Sequence, residues 1–396
     1  MKATTLFASI AACAALVSCQ PKQESMHELA DRVFALAEQQ LPLLSSELGA
    51  TQCPRSLYAN GTLMTSDYKW WCSGFFPGSL WMTYSYTQNP EILALAKSET
   101  EKIDSIRFVT DNHDIGFMNN CSFGNGLRLG GQEEYKEKLH QAAHNLATRF
   151  NPIAGVTQSW GANKDWKMPV IIDNMMNLEL LVRVAQMYNE PELLEIANTH
   201  ARTTIKNHFR PDYTTYHVVD YDPETGDVRV KCTKQGYADE STWARGEAWA
   251  LYGYTMMAEL TGEADFLSQA EHIARWTIDN LPEDYVQWWD YDAAKVHFEQ
   301  DPNGYITRDA SAAAITASAF AKLSELTKDA ALAKECRATA ENQVRALASD
   351  DYLAKPGEIR GFLLKHSTGH FHGNSEIDVP LTYADYYFLE AILRLQ

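Results

Sequence analysis

The run Pro169-Val170-Ile171-Ile172-Asp173-Asn174-Met175-Met176-Asn177-Leu178-Glu179-Leu180-Leu181 decides how this chain is read. Apolar residues fill nearly every position, so the segment predicts a helix over 171–188 that is buried on all faces. One carboxylate, Asp173, interrupts it. Burial among Val, Ile, Met and Leu strips its hydration and raises its pKa toward neutrality. A carboxyl group that holds and releases a proton near pH 7 suits general acid/base chemistry. The same residue also fits a helix N-cap or a hydrogen-bonded core Asp. A second acid in an unusual setting, Asp114 in Asp111-Asn112-His113-Asp114-Ile115-Gly116-Phe117, adds weight to the chemical reading.

Working outward, two kinds of helix alternate. Segments 171–188, 241–260, 308–326 and 377–393 are apolar or small on nearly every face, whereas 131–150, 191–208, 264–280 and 330–348 carry Glu, Lys, Arg and Gln on one side. With 26–41, 74–87, 90–106 and a short piece near 116–130, the periodicity gives roughly a dozen helices. Buried helices alternating with amphipathic ones imply an inner ring wrapped by an outer one. The expected fold is all-α, an (α/α)6 toroid in a single domain over 26–396. A solenoid is the rival, but no fixed-period repeat is visible. Asn89-Pro90-Glu91 and Glu190-Pro191-Glu192 place Pro at first helical positions. A small β-like insert is expected over 214–233, turning at Asp222-Pro223-Glu224-Thr225-Gly226. It should sit at the mouth of the toroid with the irregular stretch Trp288 to Arg308, where function is usually placed.

The chain has 396 residues, 22% charged and 45% hydrophobic, and is a globular sequence. Its 52 acids against 34 Lys and Arg give a net charge of -18. That balance argues against nucleic acid, whose binding depends on neutralising phosphates. It does not exclude a small anionic substrate in a locally basic pocket. Lys2 and the apolar run Leu6 to Val17 read as an export signal too short to span a bilayer. Leu16-Val17-Ser18-Cys19 resembles the bacterial lipobox, so residues 1–19 form a lipoprotein signal with Cys19 as the lipidated residue, and 20–25 a tether. Cys53, Cys72, Cys121, Cys232 and Cys336 remain, with no zinc spacing. They read as free buried thiols, a Cys53–Cys72 disulfide being open. No metal or cofactor is expected.

The densest segment is Gln235-Gly236-Tyr237-Ala238-Asp239-Glu240-Ser241-Thr242-Trp243-Ala244-Arg245-Gly246-Glu247-Ala248-Trp249. It enters a helix capped by Ser241 or Asp239. Aromatic plates flanking a guanidinium suit a sugar that carries a carboxylate. Two core tryptophans with Arg245 ion-paired to Glu247 would read the same way. Trp71, Trp160, His113 and His217 fall in mouth segments and join the candidates, although a single His is more often structural.

These motifs together resemble glycoside hydrolase family 88, the unsaturated glucuronyl hydrolases. The likeness rests on Asn112 to Phe117, Ile171 to Leu181, Thr215-Tyr216-His217 and Gln235 to Trp249, in the same order over nearly the whole mature chain. The resemblance implies a substrate whose terminal uronate carries a C4=C5 double bond, left by a lyase. Protonation at C4 and addition of water at C5 open the ring and release the neighbouring sugar, so no nucleophile attacks C1. By resemblance Asp173 is the acid and then the base, and Asp114 its partner. His113, Trp160, His217, Gln235, Arg245, Trp249 and Trp71 would hold the sugar. Lys234 departs from the family pattern, which has His before the Gln. Glycosaminoglycan-type oligosaccharides are the expected partners, and the periplasmic face the expected location. Two other functions remain readable: a sugar epimerase using His113 and His217, and a glycan-binding surface lipoprotein without catalysis. His366-Ser367-Thr368-Gly369-His370 reads as a polar loop, or as a contact to a sulfated next sugar.

Overall fold

The structure, a computed structural model, describes residues 23–301 and 304–396. The export signal, Cys19 and part of the tether lie outside the described residues, as do Pro302 and Asn303.

The first half of the chain gives α1 (Met26–Ser46), α2 (Phe75–Thr87), α3 (Pro90–Lys102), α4 (Ile115–Asn119), α5 (Asn125–Gly130), α6 (Tyr135–Ala147) and α7 (Asn174–Tyr188). A single π turn, Asn120–Gly124, joins α4 to α5. The second half gives α8 (Pro191–His208), α9 (Ala244–Thr261), α10 (Ala264–Asn280), α11 (Tyr291–Gln300), α12 (Ala310–Leu326), α13 (Ala330–Leu347) and α14 (Thr382–Arg394). The inner wall consists of α2, the α4–π–α5 segment, α7, α9, α12 and α14. Each touches the next, and α14 returns against α2 to close the ring. Outside it lie α1, α3, α6, α8, α10 and α13, each packed on an inner partner. The fold is the expected (α/α)6 toroid.

The two rings follow from the two sequence patterns. In α10 the buried positions Phe266, Ala270, Ile273, Ala274 and Thr277 recur at helical spacing and leave one polar face. In α12 nearly every residue from Ala310 to Ala321 is buried, and most are Ala or Ser. Small side chains let α9, α13 and α14 approach it together. Glycine does the same at two inner contacts. A methyl at Gly116 would collide with the Asn177 backbone of α7, and one at Gly253 of α9 with Met175.

Short strands decorate one end. They are β1 (Cys53–Leu57), β2 (Leu63–Ser66), β3 (Phe150–Asn151), β4 (Val156–Thr157), β5 (Met168–Ile171), β6 (Val218–Tyr221), β7 (Val228–Cys232), β8 (Ser367–His370) and β9 (Ser375–Val379). The insert is a three-stranded antiparallel sheet, β5-β6-β7, with Val170 opposite Val219. Gly226 ends the expected turn at φ 78°.

Several expected boundaries move. Residue 171 ends a strand, and the helix begins at Asn174. Likewise 377–379 belong to β9, and α14 starts only at Thr382. Trp288 to Arg308 is not irregular throughout, because Asp290 caps α11 by accepting from Asp292 N and Ala293 N. Neither Ser241 nor Asp239 caps α9, whose N-cap is Trp243 without a side-chain bond. Ser241 Oγ instead donates to Asp290 Oδ2 at 2.7 Å. The five cysteines are free and buried, so Cys53 and Cys72 form no disulfide.

Candidate active site

A cavity of about 390 Å³ opens at the strand-bearing end of the toroid. His113, Asp114, Trp160, Asp173, His217, Lys234, Gln235, Arg245 and Trp71 line it, drawn from six separated segments. Asp173 occupies the N-cap position of α7, yet its side chain caps nothing. It points into the cavity with 13% of its side chain exposed, and its Oδ2 has no hydrogen-bond partner. Asp114 sits at the start of α4, also without a capping bond, and keeps 21% exposure. Its backbone N–H donates to Asn112 Oδ1 at 2.9 Å, which fixes the turn that presents it. The close contact at Gly116 holds this turn against α7.

Each acid has a histidine beside it. His217 Nε2 lies 3.6 Å from Asp173 Oδ2, and His113 Nε2 lies 3.4 Å from Asp114 Oδ1. The Gln235 backbone N–H donates to His217 Nδ1 at 3.2 Å. That bond needs a lone pair on Nδ1, so the neutral ring carries its proton on Nε2, facing Asp173. Burial drives His217 well below its ordinary pKa, with Arg245 adding to the effect. Burial also lowers His113, to about 4. Both rings are therefore neutral near pH 7.

Burial is the first cause of the shift at each acid. It raises Asp173 to about 6 against the pull of His113 and Arg245, and Asp114 adds only a smaller rise. Asp114 goes to about 7, with Arg149 and Asn177 opposing. Desolvation raises both acids, and Asp114 further than Asp173.

The segment from Gln235 to Trp249 is organised differently from its sequence reading. Arg245 is buried and does not pair with Glu247. Its Nη1 donates to Asp309 Oδ2 at 2.8 Å and Thr368 O at 2.6 Å, and its Nη2 to Gly369 O at 2.5 Å and Gln235 Oε1 at 3.4 Å. Glu247 accepts from Thr215 N at 2.6 Å and Thr215 Oγ1 at 2.8 Å, fixing the chain two residues before His217. Trp249 does not line the cavity. It is fully buried among Phe117 and Tyr387, with ring centroids 5.2 and 5.5 Å away. It shares a face of α9 with Arg245 but lies one turn further along the helix, sealed in the core, so the expectation that it holds sugar fails. Lys234 lies over Trp160 and Trp166, 5.8 and 5.5 Å from their centroids, and has no carboxylate partner.

The sequence reading missed Arg55, Glu376, Ser375 and Tyr383 in the cavity wall. Arg55 and Glu376 form a two-pronged pair at 2.7 and 2.9 Å across 321 residues. No local motif joins them; only the β1–β9 contact does. The segment expected to be a polar loop is strand β8, whose carbonyls hold Arg245 and whose His370 lines the cavity. Among the described residues, one group away from the cavity has metal-ligand character: His140, His144 and Glu190.

The family model for Glycosyl Hydrolase Family 88 matches residues 50–393. An unsaturated glucuronyl hydrolase of Formosa agariphila is 40% identical over 359 residues, 89% of this chain and 87% of the relative. Among solved structures, an unsaturated glucuronyl hydrolase specific for heparin is 44% identical, with a TM-score of 0.88 over 93% of this chain and 97% of that one. Another, an aspartate-to-asparagine variant with dGlcA-Glc-Rha-Glc, is 29% identical, with a TM-score of 0.85 over 94% and 97%. Sequence and structure agree over the segments that carry both acids, and the chain belongs to Glycosyl Hydrolase Family 88.

Proposed function

We propose that this glycoside hydrolase removes the 4,5-unsaturated uronic acid from the non-reducing end of lyase-generated glycosaminoglycan oligosaccharides. The carrying observation is the pair of largely buried carboxyls facing the cavity, Asp173 and Asp114, raised to about 6 and about 7 beside neutral histidines. The uncommitted Asp173 Oδ2 is free to give a proton to C4 and later to take one from water. Positive charge then develops at C5 and the ring oxygen, and water adds at C5. The hemiketal opens, and the hemiacetal left at C1 collapses to release the neighbouring sugar. A uronate carboxylate entering the cavity adds negative charge and raises both acids further, which favours the protonated form that starts the reaction. Lys234 supplies the unpaired cation for that carboxylate, and Trp160 the flat apolar face beside it.

Heparin-type disaccharides are the first substrates to try, because the 44%-identical neighbour is described as specific for heparin. Loss of the absorbance of the conjugated double bond reads the reaction directly. An absorbance that stays constant with heparin-, chondroitin- and hyaluronan-derived disaccharides would overturn the assignment.

The same reading places the enzyme at the periplasmic face of a bacterial envelope, held by acylated Cys19. Its support is Lys2, the apolar run Leu6 to Val17 and the small residues before Cys19. Cys19→Ser should give unanchored protein with unchanged kcat and KM. Intact-mass analysis of the membrane fraction finding no acyl group would contradict the anchor.

A further inference from the structure

On the outer ring, away from the residues that line the cavity, α6 carries His140 and His144 one turn apart. Residues i and i+4 share a helix face, so both imidazoles project the same way. The turn between α7 and α8 brings Glu190 up to them. Asn189 closes α7 in the left-handed region at φ 57°, and the Glu190 N–H returns to Ala185 O at 3.0 Å. Pro191 then starts α8, so Glu190 is held from both sides. Its Oε1 lies 2.7 Å from His140 Nε2 and its Oε2 lies 2.9 Å from His144 Nε2.

The two Nε2 atoms are themselves 3.2 Å apart. If each ring donates its Nε2 proton to one Glu190 oxygen, two N–H dipoles of like sign are pressed together. A divalent cation removes the clash by binding the Nε2 lone pairs of both neutral rings, each ring then carrying its single proton on Nδ1. The spacing also fits: Zn–N bonds of ~2.0–2.1 Å at a tetrahedral angle set the nitrogens roughly 3.3 Å apart. A supporting contact orients one ligand. Tyr188 packs on the His140 ring at 4.2 Å between centroids, and its hydroxyl donates to Glu137 Oε1 at 2.9 Å. Such outer contacts hold metal-binding rings in place.

We propose that His140, His144 and Glu190 bind a divalent transition-metal ion of the Zn²⁺ type and clasp α6 to the α7–α8 turn. Two imidazoles and one carboxylate leave the fourth position to water, on the solvent side. Borderline cations prefer this donor set to Mg²⁺ or Ca²⁺, which take oxygen ligands. None of the three residues lines the catalytic cavity, so the site is independent of the hydrolysis.

The test uses the full chain made without a polyhistidine tag, stripped of metal and titrated with Zn²⁺ by calorimetry. One equivalent should bind with a Kd below about 100 µM and raise the melting temperature. His144→Ala and Glu190→Gln should each weaken binding at least ~10-fold while kcat stays unchanged. Co²⁺ should give the visible bands of a four-coordinate site in the wild type and lose them in His144→Ala. Three results would overturn the site: a Kd weaker than about 100 µM, uptake equal to that of a His140→Ala/His144→Ala double variant, or full affinity in Glu190→Gln. His144 is half exposed, so its removal leaves the fold in place for the comparison.

Discussion

Asp173 and Asp114 are near neighbours in chemistry but not in environment. Arg245 restrains Asp173, whereas Arg149 and Asn177 oppose the rise at Asp114. Asp173→Asn keeps shape but removes the transferable proton, so kcat should fall at least ~10²-fold with the melting temperature unchanged. More than a tenth of wild-type activity would remove Asp173 as the acid. The reaction starts from the protonated carboxyl, so kcat/KM should decline as pH rises above about 6, the value to which Asp173 is raised. Asp114 contributes part of that rise, so Asp114→Asn should move the alkaline limb to lower pH. Removing the Arg245 charge should move it to higher pH. Arg245→Met also leaves Asp309 buried without its ion-pair partner, a loss of about 3–5 kcal/mol in stability. Its committed hydrogen bonds argue that KM will change little. Lys234→Met should instead raise KM roughly two- to fivefold, the range of an exposed charge pair. The reverse pattern, KM responding to Arg245 and not to Lys234, would return the substrate carboxylate to Arg245.

At the scale of elements, the site depends on α4 and α7 standing closer than ordinary side chains permit. Gly116 provides that closeness, and Phe117 N–H ties it by donating to Asn177 Oδ1 at 2.7 Å. Gly116→Ala must push α4 away from α7 and draw Asp114 from its place beside His113. Overpacking of this kind costs about 1–3 kcal/mol. Activity per folded molecule should fall along with the melting temperature; a stability loss with full kcat would show that the two acids tolerate separation. The helices were legible because burial on all faces and burial on one face leave different residue patterns, as in α12 and α10. Strand β5 was not, since Pro169-Val170-Ile171 is covered on both faces and a short buried strand reads like a buried helix. The acids and His113, His217 and Gln235 were legible because they lie in dense local motifs. Arg55, Glu376 and Tyr383 were hidden by distance along the chain, as was Asp309, the true partner of Arg245. Trp249 misled because a motif gives neighbours in sequence, and here the same helix face, but not how far below the mouth each residue lies.

The whole molecule carries a net charge of -18 and, under the proposed reading, must capture an anion. Within the cavity the cations are largely spent: Arg55 is paired with Glu376 and Arg245 with Asp309. Lys234 is left to face Asp114, Asp173 and the incoming carboxylate. Long-range repulsion should therefore slow encounter, while the short-range contact at Lys234 acts only after arrival. Salt separates the two effects. The screening length is about 30 Å at 0.01 M and about 8 Å at 0.15 M ionic strength, so added salt removes the distant repulsion first. We expect kcat/KM to rise between those concentrations, with kcat nearly constant, and to rise more for a sulfated disaccharide than for an unsulfated one. Charge effects on association act on the encounter rate in this way. The comparison is run at fixed pH on both disaccharides with the wild type and Lys234→Met. If kcat/KM falls with salt instead, the local field of the cavity outweighs the global charge, and the drop should shrink in Lys234→Met. A slope that is equal for both disaccharides would show that substrate charge does not limit encounter at all.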